Sequence, residues 1–189
     1  MPQLSDLRRR LARAAPSTCL ALALACPGLA AAQPVLETRL APGLVTVSGH
    51  LEVPVERTRA WQVLTQPDRF PVFVPGLKTS RTLEQHGTTR LIAQTGELTA
   101  GPRLRFDTVV RSDEIAGEGV KLQFLSGPFK NSSGEWRLRG ERPVTLTYQL
   151  RVDLTQSPLP PPLAGQIADQ QVRVWLNALA GEMLRATMP

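Results

Sequence analysis

The chain has 189 residues, 42% of them apolar and 20% charged, with a formal net charge of +6 and two cysteines, Cys19 and Cys26. No stretch reaches the roughly 20 apolar residues that a membrane span requires. Beyond residue 26 there is no thiol, which excludes a disulfide framework and cysteine chemistry for the rest of the chain.

The first element read along the chain is a targeting segment. Arg8, Arg9, Arg10 and Arg13 precede a small and apolar run over residues 14–25 that contains Leu20, Leu22 and Leu24. Pro27-Gly28 breaks any helix, and Ala30-Ala31-Ala32 offers the small residues that signal peptidase needs, so residues 1–32 are predicted to be a signal peptide cut before Gln33. Two variants stay open. Arg8-Arg9 resembles a twin-arginine signal, and Ala23-Leu24-Ala25-Cys26 resembles a lipobox that would anchor the protein through Cys26. In each case the expected address is periplasmic or secreted. Losing four arginines and Asp6 takes the charge from +6 to +3, so the basic composition is weak ground for a nucleic-acid partner. The remaining 157 residues, 189 less 32, suffice for one domain with its own core.

Residues 33–43 are read as an N-terminal extension and residues 44–187 as the domain. Val45, Val47, Gly49 and Leu51 alternate with Thr46, Ser48, His50 and Glu52, the period of a half-buried strand that ends at Pro54. Residues 56–66 change to helical spacing, with Ala60, Val63 and Leu64 beside Trp61. Pro67, Pro71 and Pro75 then confine Phe70-Pro71-Val72-Phe73-Val74 to a turn or two of helix.

Alternation returns after Gly76, with strands expected over residues 77–85, 89–98, 104–110, 120–124, 134–139 and 144–154. Their apolar residues fall on one face, and such a sheet needs a cover. Residues 157–162, with four prolines, read as a stiff linker. Residues 163–186 supply the cover, with Ala164, Ala168, Val172, Trp175, Leu179 and Met183 on one helical stripe that Ile167 widens. The expected fold class is α+β: a curved antiparallel sheet of six or seven strands, two short helices after strand 1, and a long C-terminal helix.

The same residues resemble a family. Val63-Leu64-Thr65-Gln66-Pro67-Asp68-Arg69-Phe70-Pro71-Val72-Phe73-Val74-Pro75 is similar to a signature of the START-like (SRPBCC) polyketide-cyclase and coenzyme Q-binding proteins. Gly127-Pro128-Phe129-Lys130 followed by Gly134-Glu135-Trp136-Arg137-Leu138 is similar to that family's penultimate-strand signature, and the resemblance spans residues 44–186. It implies a helix-grip fold with a hydrophobic cavity between sheet and helix. Members bind lipids, quinones, sterols or polyketides, and some are enzymes. The export signal sets this chain apart from the coenzyme Q-binding group.

Few side chains here suit proton transfer or metal binding. The only histidines, His50 and His86, are expected on an outer face and in a turn, so no metal, cofactor or catalytic set is expected. Asp68 is either a polar contact for a ligand, able to act as a general base, or the residue that caps or begins the short second helix. Tyr148, the only tyrosine, is expected to face inward, its hydroxyl meeting a ligand or a backbone group. Phe70, Phe73, Phe106, Phe124 and Phe129, with Trp136, Ile167 and Trp175, are the remaining cavity candidates. Arg81, Arg90, Arg137, Arg139, Arg142 and Arg151 are read as the solvated outer face of the sheet.

Three functions are consistent with these features. The first is non-catalytic binding or transport of a hydrophobic small molecule in the cell envelope. The second is a cyclase, dehydratase or hydrolase using Asp68 or Tyr148. The third is an envelope adaptor whose basic face binds a protein or makes a peripheral membrane contact. Oligomeric state is left open.

Overall fold

The computed structural model describes residues 32–101, 103–155, 157 and 159–185. The signal-peptide segment lies outside the described residues except for Ala32. The remainder is an eight-stranded antiparallel sheet and one long helix, joined by short helical turns.

The strands are β1 (Val35–Ala41), β2 (Leu44–Val53), β3 (Leu77–His86), β4 (Thr89–Glu97), β5 (Arg105–Ile115), β6 (Gly119–Phe124), β7 (Ser133–Arg139) and β8 (Val144–Asp153). Their order across the sheet is β1-β2-β8-β7-β6-β5-β4-β3, so β2 and β8 pair at the point where the chain returns. Between β2 and β3 lie α1 (Arg57–Leu64), a 3-10 turn (Pro67–Arg69) and the single turn α2 (Phe70–Phe73). The chain ends in α3 (Pro161–Arg185).

Residues 33–43, expected as an extension, instead contain β1, which pairs along its whole length with β2. It is an edge strand whose Val35 and Leu40 are exposed, so it lacks the apolar alternation that marks the others. The proline-rich segment also differs from expectation: Pro161 and Pro162 begin α3 rather than extend a linker. A helix tolerates proline in its first turn, where the amide would have no partner.

Period-two burial decides which face of the sheet is covered. Val45, Val47, Leu51 and Val53 of β2 and Val144, Leu146 and Tyr148 of β8 are all at most 2% exposed, and they meet Val172, Leu176, Leu179 and Met183 of α3. Complete burial of one such leucine contributes about 1.5–3 kcal/mol.

The helix sits closest where β2 carries a glycine. A β-carbon on Gly49 would lie 2.8 Å from Leu176 Cδ1 and 3.2 Å from Leu36 Cγ, so only glycine permits this approach. Gly165 of α3 meets Leu40 in the same way, 3.0 Å from the position of a β-carbon. Thr38 donates a hydrogen bond to Asp169 (3.0 Å) and Arg173 donates one to the Pro34 carbonyl (3.1 Å). The α3 contacts with the sheet concentrate on β1, β2 and β8. Over β4, β5 and β6 the helix stands off, and space remains.

Candidate ligand cavity

Strand register assembles the floor of that space. One row across the sheet joins Gly49, Tyr148, Trp136, Val120 and Glu114, on β2, β8, β7, β6 and β5 in turn. The next row places Arg90 of β4 opposite Ser112, and Ser112 opposite Leu122. Beyond it come Ile92, Val110 and Phe124, then Gln94 opposite Thr108, then Gly96 opposite Phe106. Side chains two residues apart share a face, so these residues all point toward the helix side.

The walls come from Leu64, Pro67 and Phe70 on one side and from Gln171, Trp175 and Leu179 of α3 on the other. The cavity, partly open to solvent, has a volume of about 100 Å³. A second cavity of the same size lies under the N-terminal half of α3, between Leu150, Leu154, Ala164 and Ala168, and a wider cleft of about 530 Å³ opens beside it past Leu104, Leu159 and Ile167.

Aromatic contacts shape the interior. Tyr148 stacks on Trp136 with ring centres 3.9 Å apart and meets Trp175 edge-on at 5.9 Å. Its hydroxyl lies over Gly134, 2.6 Å from where a β-carbon would stand. Burial pushes the Tyr148 phenol well above its ordinary pKa. Phe106 lies over Gly96 in the same manner, and Phe129 joins Phe106 and Phe124 at 5.7 and 6.1 Å.

Most of the expected cavity residues are therefore brought together: Phe70, Phe106, Phe124, Phe129, Trp136, Tyr148 and Trp175 all line the first cavity. Ile167 lines the second cavity and the outer cleft instead. Phe73 does not line any of the three. It packs on the core beside Phe70, with rings 5.7 Å apart at 65°.

Asp68 lines none of the three cavities; it sits in the 3-10 turn that leads into α2 and makes no side-chain capping bond there. It is exposed, and its carboxylate accepts hydrogen bonds from the Thr82 amide (2.6 Å) and the Thr82 hydroxyl (3.0 Å), tying the turn after α1 to β3. Its place in the motif is explained by positioning, since the turn it fixes carries Pro67 and Phe70 to the cavity wall.

Arg90 corrects the reading of the outer face. It shares parity with Ile92, lines the cavity, donates to the Thr65 carbonyl at 2.6 Å and stands 2.9 Å from Glu114 Oε1. The ionic distance is short, yet its orientation does not make it a hydrogen bond, so Oε1 is a buried acceptor left without one. Glu114, Gln94, Thr108, Ser112 and Gln171 were not among the expected cavity residues. The available signal was strand parity, since Glu114 shares the face of Val110 and Gln94 that of Ile92.

Thr108 donates to the Ser126 carbonyl at 2.7 Å, and Gln94 donates to Ser80 at 3.1 Å. Gln171, 4% exposed, accepts from the Thr99 amide at 3.2 Å and holds the β4–β5 loop against α3. His50 and His86 are both exposed. Among the described residues no group of three or more His, Cys, Asp or Glu is arranged to hold a metal ion. No helix among them is long and apolar enough to cross a membrane.

A curved antiparallel sheet closed by a C-terminal helix, with an apolar cavity beneath that helix, defines a START-like helix-grip protein. The family described as polyketide cyclase / dehydrase and lipid transport matches residues 52–180, and the chain belongs to it. No curated protein matches the chain.

Among solved structures, the chain resembles the Zhui aromatase/cyclase of Streptomyces sp. R1128 at 18% identity and a TM-score of 0.62, covering 75% of this chain and 94% of that one. It resembles a STAR-related lipid transfer protein from Xanthomonas axonopodis at 19% identity and a TM-score of 0.64, with 80% and 94% covered. A START superfamily protein from Mycobacterium smegmatis aligns at 19% identity and a TM-score of 0.61, with 75% and 99% covered. At these identities the likeness establishes the fold.

Proposed function

We propose that the protein binds and carries a hydrophobic small molecule, without turning it over, in the space between β4–β7 and α3, and that it does so outside the cytoplasm. One observation carries this reading. The cavity wall is dominated by apolar and aromatic side chains, and of its polar residues Arg90, Gln94, Thr108 and Gln171 are already hydrogen-bonded to other protein groups. Sites of this kind gain affinity from desolvation and use a few polar groups for orientation. Asp68, the best-placed acid in the family motif, is bound to Thr82 and does not line the cavity.

The proposed address rests on residues 1–32. A cut after Ala32 leaves β1 intact, since its first residue is Val35. N-terminal sequencing of the exported protein should begin at Gln33.

Native mass spectrometry of protein purified from the cell envelope tests the binding role. A co-purifying apolar molecule is expected. A consistently empty protein whose melting temperature is unmoved by lipids, quinones and aromatic polyketides would sink the proposal.

An enzymatic reading draws support from one specific observation: Glu114 Oε1 lacks a hydrogen bond at a cavity wall that the buried Tyr148 also lines. Turnover of a bound polyketide that is lost in both Tyr148→Phe and Glu114→Gln, with binding retained, would favour it over the carrier. The adaptor reading is supported less. Arg90 faces inward, while Arg137 and Arg142 are paired with Glu135 and Glu56, which breaks up the basic face.

A further inference from the structure

We infer that the second cavity is a tail subsite continuous with the first, and that the ligand is accordingly a single-chain alkyl amphiphile rather than a compact ring system. This rests on the carrier reading above and names its ligand class.

The two cavities share a wall. Phe124 and Phe129 from the sheet side and Gln171 and Trp175 from α3 line both of them. Gln171 is held by Thr99, whereas Trp175 is held by apolar packing on the core and by an edge contact with Tyr148. A rotation of the Trp175 indole, which is only partly buried, therefore breaks no polar contact and joins the two spaces it separates.

Size points the same way. Each cavity holds about 100 Å³, below the roughly 300–1,000 Å³ of typical small-molecule sites. Joined, they follow α3 from Leu179 to Ala164, a path of about 22 Å at 1.5 Å per residue. That is long and narrow, the shape of a chain.

Polarity orders the two ends. The first cavity holds the Arg90–Glu114 pair and the free acceptor Oε1, which suits a small polar end that donates a hydrogen bond. Alanines at positions 164 and 168 leave room in the second cavity where α3 elsewhere presents Val172, Leu176 and Leu179. The carboxylate at its far end, Asp153, is spent on the Thr155 amide and hydroxyl at 2.8 and 2.7 Å.

Isothermal titration of the processed protein with hexanol, octanol, decanol and dodecanol tests the inference. In the native protein, affinity should rise about fourfold per added methylene, about 0.8 kcal/mol, through dodecanol. In Ala168→Phe, which plugs the second cavity, hexanol should bind as before and the gain should stop short of dodecanol. Ala164→Leu, a smaller intrusion one turn away, should truncate the series in the same sense and serves if Ala168→Phe melts early. A gain that ends at the same chain length in native and plugged proteins overturns the tail subsite, while retained hexanol binding upholds the first cavity. Failure of the native protein to bind any of the alcohols overturns the inference and the apolar-site reading together.

Discussion

Arg90 and Glu114 stand 2.9 Å apart across neighbouring strands at the cavity wall, and the nitrogen in that contact gives its hydrogen bond to Thr65 instead. The arginine thus closes the end of α1 onto the sheet while neutralising a carboxylate that is only 16% exposed. Removing one partner of such a pair costs more than removing both, because the survivor keeps its desolvation penalty. Arg90→Met should destabilise the fold by about 3 kcal/mol, and Arg90→Met with Glu114→Leu by clearly less. Urea unfolding of the two single variants and the double variant checks this. A loss in the double variant equal to the sum of the two single losses would show that the charges do not interact.

Tyr148 gives the domain an alkaline limit. Burial raises its pKa above the ordinary 10.0, so above pH 10 the unfolded chain loses a proton that the folded chain keeps. The stability due to the neutral phenol is complete below pH 10 and falls as pH rises, by about 1.4 kcal/mol per unit while only the unfolded state is ionised. Tyr148→Phe removes this dependence. Unfolding free energies at pH 9 and pH 11 should converge for the native protein and the variant on correction for their neutral-pH difference only if the tyrosine is not buried.

Asp68→Ala should loosen the wall without entering it. Loss of the two hydrogen bonds to Thr82 should cost about 1.5–3 kcal/mol, the range for bonds to a charged group, reduced by the exposure of the site. Amide exchange at Thr82 should accelerate. Retained ligand in the folded variant is expected, and complete loss of a catalytic turnover with unchanged exchange at Thr82 would contradict the strut role.

Gly49→Ala should lower the melting temperature through overpacking, at about 1–3 kcal/mol. The added methyl meets Leu176, Leu36 and Val172 at once. Gly87→Ala is the contrast for space, since a β-carbon there meets nothing within 4 Å, although its positive φ of 58° adds backbone strain.

Much of the architecture was legible because burial imposes a period. Val45 to Leu51 and Val144 to Tyr148 alternate without interruption, and the sheet buries them as read. β1 was missed because it is an edge strand: of its residues only Leu36 packs against the core, and the remainder carry no stripe. The aromatic half of the cavity was visible for the same reason, since Phe106, Phe124 and Trp136 sit on inward positions.

The polar half was not. Arg90 and Glu114 look like surface residues by type, and only their parity with Ile92 and Val110 places them inside. Asp68 was read as a ligand contact or as the start of the short second helix, and its tie to β3 was not seen. A carboxylate in a family motif invited a chemical role, while its partner Thr82 is fourteen residues away on β3 and is not identified by local spacing.

The close contacts that Gly49 of β2 and Gly165 of α3 allow between the helix and β1–β2 divide the labour of the fold. There the helix is clamped by close packing that tolerates no added atom, whereas the inner face of β4–β6 borders open volume. Changes of side-chain size on β4–β6 are therefore absorbed by the cavity and alter what fits, while the clamp keeps the helix in place. Selectivity can drift on one half of the sheet at little cost to folding, which is held on the other half.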